Sequence, residues 1–171
     1  MAGLVVAAIP FIASLREGPV ETGRHNPWQV EVDLSDLSVD RVKRVDWPGG
    51  EVWITRRSPA EIQRIQSAAS PPLRDPDSHL SRQPAVANTS FRSLRADIFV
   101  FLPRETQRGC HIHSVELEDG RPGFVEPCYG ARFDSAGRIF RDSGRPEQRN
   151  LPVPPYELLP GNRLRLLQQT R

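Results

Sequence analysis

The chain of 171 residues holds two cysteines, Cys110 and Cys128, and four histidines, two of which, His111 and His113, follow the first cysteine directly. Zinc takes thiolate and imidazole donors, and Cys110 and Cys128 with one or both of His111 and His113 supply those types. Their spacing matches no recognised zinc motif, because both histidines crowd beside one cysteine. Two cysteines are also too few for a disulfide framework, although one bridge is open to them in an oxidising compartment. The 23 basic and 21 acidic residues are dispersed and give a net charge of +2. No basic stripe with interleaved aromatics occurs, so nucleic acid is not an expected partner.

The elements that must position these side chains read as short strands and turns. Hydrophobic residues make up 37% of the chain, enough for one compact domain plus a tail. Seventeen prolines and twelve glycines disfavour a helical bundle. Met1 to Leu15 carry no charged side chain. That stretch is shorter than the roughly 20 residues of a membrane-spanning helix and lacks the basic start of a signal peptide. It reads as the C-terminal part of a membrane anchor, the alternative being a buried or interfacial helix. Residues 16–27 read as a flexible neck, and 28–171 as the folded domain.

Within that domain Trp28, Val30, Val32 and Leu34 alternate with polar residues, which predicts a half-buried strand. Another strand is expected over Glu51 to Thr55, after the Pro48-Gly49-Gly50 turn. Ser58-Pro59-Ala60-Glu61 predicts a helix start with a capping box, in which Glu61 reaches back. Ile62, Ile65 and Ala69 would form its inner face. Ser70 to Ser90 reads as an irregular connection, and Asp97 to Leu102 as the strongest strand. Further strands are expected near Phe124-Val125, Ile139-Phe140, Tyr156 to Leu159 and Leu164 to Leu167, with turns at Gly120 to Gly123, Asp134 to Gly137 and Gly161-Asn162. Short strands at this spacing imply an all-β fold, an antiparallel sandwich or small barrel.

One stretch resembles a known family. Pro127-Cys128-Tyr129-Gly130-Ala131-Arg132-Phe133-Asp134, followed by Ala136-Gly137-Arg138-Ile139-Phe140, resembles the second cluster-binding loop of Rieske iron–sulfur proteins. The family pattern there is Cys-Pro-Cys-His-Gly-Ser, an aromatic residue two further on, then Asp. Glu105-Thr106-Gln107-Arg108-Gly109-Cys110 resembles the first loop, Cys-Thr-His-x-Gly-Cys. The likeness extends to Val30-Glu31-Val32-Asp33-Leu34, to Val52 through Pro59, to Asn150 through Tyr156, and to Ile9-Pro10-Phe11 at the end of the apolar start. It points to the Rieske subunit of bacterial quinol–cytochrome c oxidoreductases (cytochrome bc complexes), with a cluster-binding subdomain over about 103–150.

In that family a two-iron two-sulfur cluster is held by two cysteines and two histidines. Carried over by position, the ligands would be Glu105, Gln107, Glu126 and Tyr129, none of which is cysteine or histidine. Carboxylates are hard oxygen donors and an amide is a poor one, whereas iron–sulfur chemistry needs soft thiolates. Cys110 and Cys128 fall on the family's disulfide positions. Ala131 replaces a serine that hydrogen-bonds the cluster, and Gly144 to Arg149 replaces a proline-rich cover. Glu105 and Glu126 could come close and, if convergent, could bind a divalent cation; a solvated, arginine-balanced tip is the preferred reading. Without Arg108 or another cation between them, repulsion would raise one pKa.

The resemblance therefore implies a subunit that docks with cytochrome b and cytochrome c subunits, anchored by its N-terminal helix in the inner (plasma) membrane. Its domain would face the periplasm, with a structural role and no cofactor. The alternatives are a working carrier of electrons from quinol to cytochrome c and a divalent-metal-binding module. The first needs an exposed histidine ligand that accepts a proton, a role that neither Tyr129 nor Gln107 can copy near neutral pH.

Overall fold

The computed structural model describes residues 29–39, 41–67 and 72–168. The expected anchor and neck, Trp28 and Ala69 lie outside the described residues. Among the described residues no helix is long and apolar enough to cross a membrane.

The strands are β1 (Val30–Asp33), β2 (Val42–Trp47), β3 (Gly50–Arg56), β4 (Ile98–Phe101), β5 (His113–Glu116), β6 (Pro122–Glu126), β7 (Ala131–Phe133), β8 (Tyr156–Leu159) and β9 (Arg163–Leu166). They form three three-stranded antiparallel sheets, ordered β1-β9-β8, β2-β3-β4 and β5-β6-β7. An all-β fold is thus observed. The third sheet lies within 103–150 and carries the tip.

Alternation places β1 as expected: Val32 is buried while Glu31 and Asp33 face solvent. β4 is buried at every position, and its rings join two sheets. Phe99 and Phe101 stack with centroids 4.8 Å apart, and Phe101 meets Phe124 of β6 at 4.7 Å. Such aromatic packing adds about 1 kcal/mol per pair beyond the area buried. β2, β5 and β7 were not expected from the sequence. β2 carries Lys43, Arg44 and Asp46 among its apolar residues, and β5 is mostly exposed, so neither shows a clear apolar alternation. Ile139 and Phe140 are buried but form only isolated bridges, to Phe133 and Leu73, and so make no strand.

Among the described residues one α-helix, α1 (Pro59–Gln66), starts at Ser58, whose Oγ accepts the Glu61 N–H at 3.2 Å. The return half of the capping box is not made. The Glu61 carboxylate instead accepts the Ser135 hydroxyl at 2.8 Å and pairs with Arg64. Ile65 is buried and Ile62 only half-buried, so Glu61 takes the inner place expected of an apolar residue.

Ser135 belongs to the turn from Asp134 to Gly137, which closes the strand after the second loop. Asp134 Oδ1 accepts the Ala136 and Arg138 N–H groups, and Gly137 donates to the Asp134 carbonyl at 2.8 Å. Gly137 has φ +68°, and a Cβ there would lie 2.6 Å from Phe99 Cζ. Two buried arginines fix this turn to the body. Arg57 donates to the carbonyls of Ser135, Ala96 and Phe91. Arg92 donates to those of Ala136, Gly137 and Leu151. Burial lowers the pKa of each to about 10, so both stay charged at neutral pH.

Candidate functional site

Two loops form the tip, and each folds around a carboxylate. In the first, Glu105 donates its N–H to the Cys110 carbonyl at 2.9 Å. Its side chain turns inward and accepts the N–H groups of Gln107 at 2.7 Å, Cys110 at 3.4 Å and, by a short contact, Arg108. In the second, Glu126 at the end of β6 accepts the N–H of Cys128, again by a short contact, and that of Tyr129 at 3.2 Å. Successive N–H groups converging on one anion make a nest. Cys110 and Cys128 form a disulfide that ties the loops together, with Cα atoms 6.5 Å apart.

A third segment closes the gap. Gln148 Nε2 donates to Glu105 Oε2 at 3.2 Å and to Glu126 Oε2 at 3.1 Å, while its Oε1 accepts the Arg145 N–H at 2.7 Å. The three side chains are buried, with residue exposures of 3% for Glu105 and 0% for Glu126 and Gln148. Gly144 permits the close seating: at φ +62° it lies where a Cβ would collide with Gln148 Oε1 and the Ala131 methyl. Arg74 supports the segment from beneath, donating to the carbonyls of Ser143 at 2.6 Å and Gln148 at 3.1 Å and to that of Arg145. Gln107 Nε2 donates to the Glu147 carbonyl at 2.9 Å, and the Arg149 N–H to Thr106 Oγ1 at 3.0 Å.

The two carboxylates do come close, both meeting the Gln148 amide, but in a setting that differs from the preferred reading. The tip is not a solvated, arginine-balanced surface around them. Arg108 meets Glu105 through its backbone N–H, and an amide bridges the two acids. The expected rise in pKa is not found at Glu105. Burial opposes its charge, but the N–H groups of Gln107, Arg108 and Cys110 together with Gln148 outweigh it and hold the pKa below the ordinary value.

All four positions that resemblance assigns to cluster ligands are engaged within the protein. Glu105 and Glu126 cap their own loops, Gln107 bonds Glu147, and the Tyr129 ring lies under the Arg145 guanidinium at 4.3 Å. A Rieske centre takes two thiolates and two imidazoles. These residues do not fit it in donor type.

The histidines of the alternative zinc set turn elsewhere. His111 Nε2 lies 3.1 Å from Glu51 Oε2, and its Nδ1 lies 2.9 Å from the Ile112 carbonyl. His113 is exposed on β5. Among the described residues, the donor group that does converge is Cys110, Cys128 and Glu126, whose ligand atoms lie within 4.8 Å of one another. Sequence reasoning passed over Gln148 and Arg74. Gln148 sits in the run Arg145-Pro146-Glu147-Gln148-Arg149, where nothing marks the one uncharged polar side chain as inward-facing.

No protein-family model matches the sequence. The ubiquinol–cytochrome c reductase iron–sulfur subunit of Allochromatium vinosum is 34% identical over 164 residues, covering 92% of this chain and 77% of that protein. The subunit of the same name from Blastochloris viridis is 29% identical, covering 96% and 84%. That of Rhodospirillum rubrum is 31% identical, covering 90% and 77%. A chain of a hyperthermophilic respiratory complex III superposes with a TM-score of 0.49 at 19% identity, over 92% of this chain and 87% of that one. At 34% identity over 92% of its length, the chain belongs to the family of ubiquinol–cytochrome c reductase iron–sulfur subunits.

Proposed function

We propose that this chain is a structural or accessory Rieske-like subunit of a cytochrome bc type membrane complex, and that it works without an iron–sulfur cluster. The observation that carries this reading is the amide of Gln148 shared between the buried carboxylates of Glu105 and Glu126. A cluster sulfur is stabilised by hydrogen bonds from the surrounding loops. Here the carboxylate oxygens accept those loop N–H groups, so each loop has an internal acceptor and needs no metal to keep its shape. The disulfide then fixes the loops to each other.

Family membership supports docking with the cytochrome b and cytochrome c subunits of such a complex. The apolar residues 1–15 would serve as membrane anchor and 16–27 as neck. The domain 28–171, with its tip at 103–150, would face the periplasm from the inner membrane. The disulfide accords with an oxidising compartment.

Two measurements test the reading. Protein expressed with cluster assembly active is analysed for iron and acid-labile sulfide, and the dithionite-reduced sample for its electron paramagnetic resonance spectrum. Iron at background level and no Rieske signal are expected. Two irons and two sulfides per chain would overturn the cluster-free part. Affinity purification from solubilised membranes should recover cytochrome b with the tagged chain, and recovery without any cytochrome would overturn the subunit assignment.

A further inference from the structure

The tip contains a donor set that combines the disulfide cysteines with one carboxylate of the bridge. We propose that reduction of the Cys110–Cys128 disulfide converts the tip into a zinc site, whose ligands are the two cysteine thiolates and the Glu126 carboxylate. Their ligand atoms already lie within 4.8 Å of one another. A tetrahedral zinc ion with bonds of about 2.3 Å to sulfur parts two thiolates by about 3.8 Å. The Cα separation of 6.5 Å accommodates that opening with small rotations of the side chains. Cys128 is exposed and Cys110 half-buried, so reductant and ion both have a route, and water can fill the fourth position.

Glu126 is prepared for this role. It is wholly buried and, among the described residues, makes no ion pair, so its charge is met only by N–H dipoles. A cation beside it would supply the missing counter-charge. Gln148 and the Cys128 N–H orient the carboxylate from behind, as hydrogen-bonded groups commonly do for a ligating acid. The histidines are not part of the set, because both nitrogens of His111 are engaged and His113 points to solvent.

The disulfide gates the site. While the sulfurs are bonded to each other neither is a thiolate, and no soft donor is present. A dithiol gives two electrons and two protons to the bridge and itself closes to a disulfide, leaving two cysteine thiols. Zinc then displaces the two thiol protons to water. This inference does not depend on assembly into a membrane complex, and its test needs only the isolated full chain.

The oxidised and phosphine-reduced chains are titrated with zinc against a chromophoric indicator (the phosphine takes oxygen from water and becomes its oxide). One zinc per reduced chain and none per oxidised chain are expected. Glu126→Gln keeps a hydrogen-bond acceptor for the loop but should weaken zinc binding by about tenfold or more. His111→Gln should bind as the unsubstituted chain does. Equal binding before and after reduction overturns the proposal. So does full affinity in Glu126→Gln, or loss of binding in His111→Gln. Should Glu126→Gln fail to fold, cobalt(II) added to the reduced, unsubstituted chain decides: charge-transfer intensity for two thiolates per cobalt supports the site, and intensity for one or none overturns it.

Discussion

At the scale of single residues, the tip depends on Gln148 holding apart two acids that would otherwise repel. Each carboxylate accepts one hydrogen of its amide. Gln148→Leu removes both donors and leaves two buried charges facing each other. The expected loss of stability is about 3 kcal/mol, read from the urea midpoint of the oxidised protein at pH 7. A change within error would show that the bridge is not a stabilising contact. Glu105 gives a second handle, through pH. Its folded pKa lies below the ordinary 4.5, so its contribution is fully present above that value and is lost as pH falls through the lowered one. Urea midpoints followed from pH 7 down to 3 should fall less steeply for Glu105→Gln than for the unsubstituted chain. These contributions were only partly legible in the sequence. The aligned positions Glu105 and Glu126 could be named, but the amide between them lies 43 and 22 residues away from its partners.

At the scale of elements, the turn from Asp134 to Gly137 connects the tip sheet to the body, and it tolerates little change. Gly137→Ala meets both a left-handed backbone and the Phe99 ring. The expected cost is about 3 kcal/mol, measurable as a lowered thermal midpoint. A substitution without effect would mean that the turn relaxes freely. The same turn shows why α1 differs from its expected form. Ser58 caps the helix as a local signal predicts, because donor and acceptor are three residues apart. Glu61 leaves the capping box and instead meets a distant hydroxyl, on Ser135, and Arg64. Strands were legible where apolar residues alternate or run together, as in β1 and β4. They were missed where charges interrupt the pattern, as in β2, or where only three residues pair, as in β7.

At the scale of the whole molecule, three small sheets share one core, and the tip sheet is attached to it by the Phe101–Phe124 contact and by Arg57 and Arg92. The disulfide spans 18 positions in sequence, and closing such a loop stabilises by roughly 3 kcal/mol. Reduction without metal should lower the urea midpoint accordingly while keeping the cooperative transition, since each loop retains its own carboxylate cap. Collapse of the domain on reduction would show that the caps do not suffice. The all-β class, the helix start at Ser58, the positions of the two loops and the lack of sulfur and imidazole donors at the aligned ligand positions are all legible along the chain. Those are properties of local period, local capping and residue type. That Gln148 stands between the acids, that Glu51 takes His111, and that Arg57 and Arg92 are buried among backbone carbonyls emerges from long-range packing alone. Hydrogen bonds between groups remote along the chain follow no period, and a carbonyl carries no mark of the side chain that will meet it.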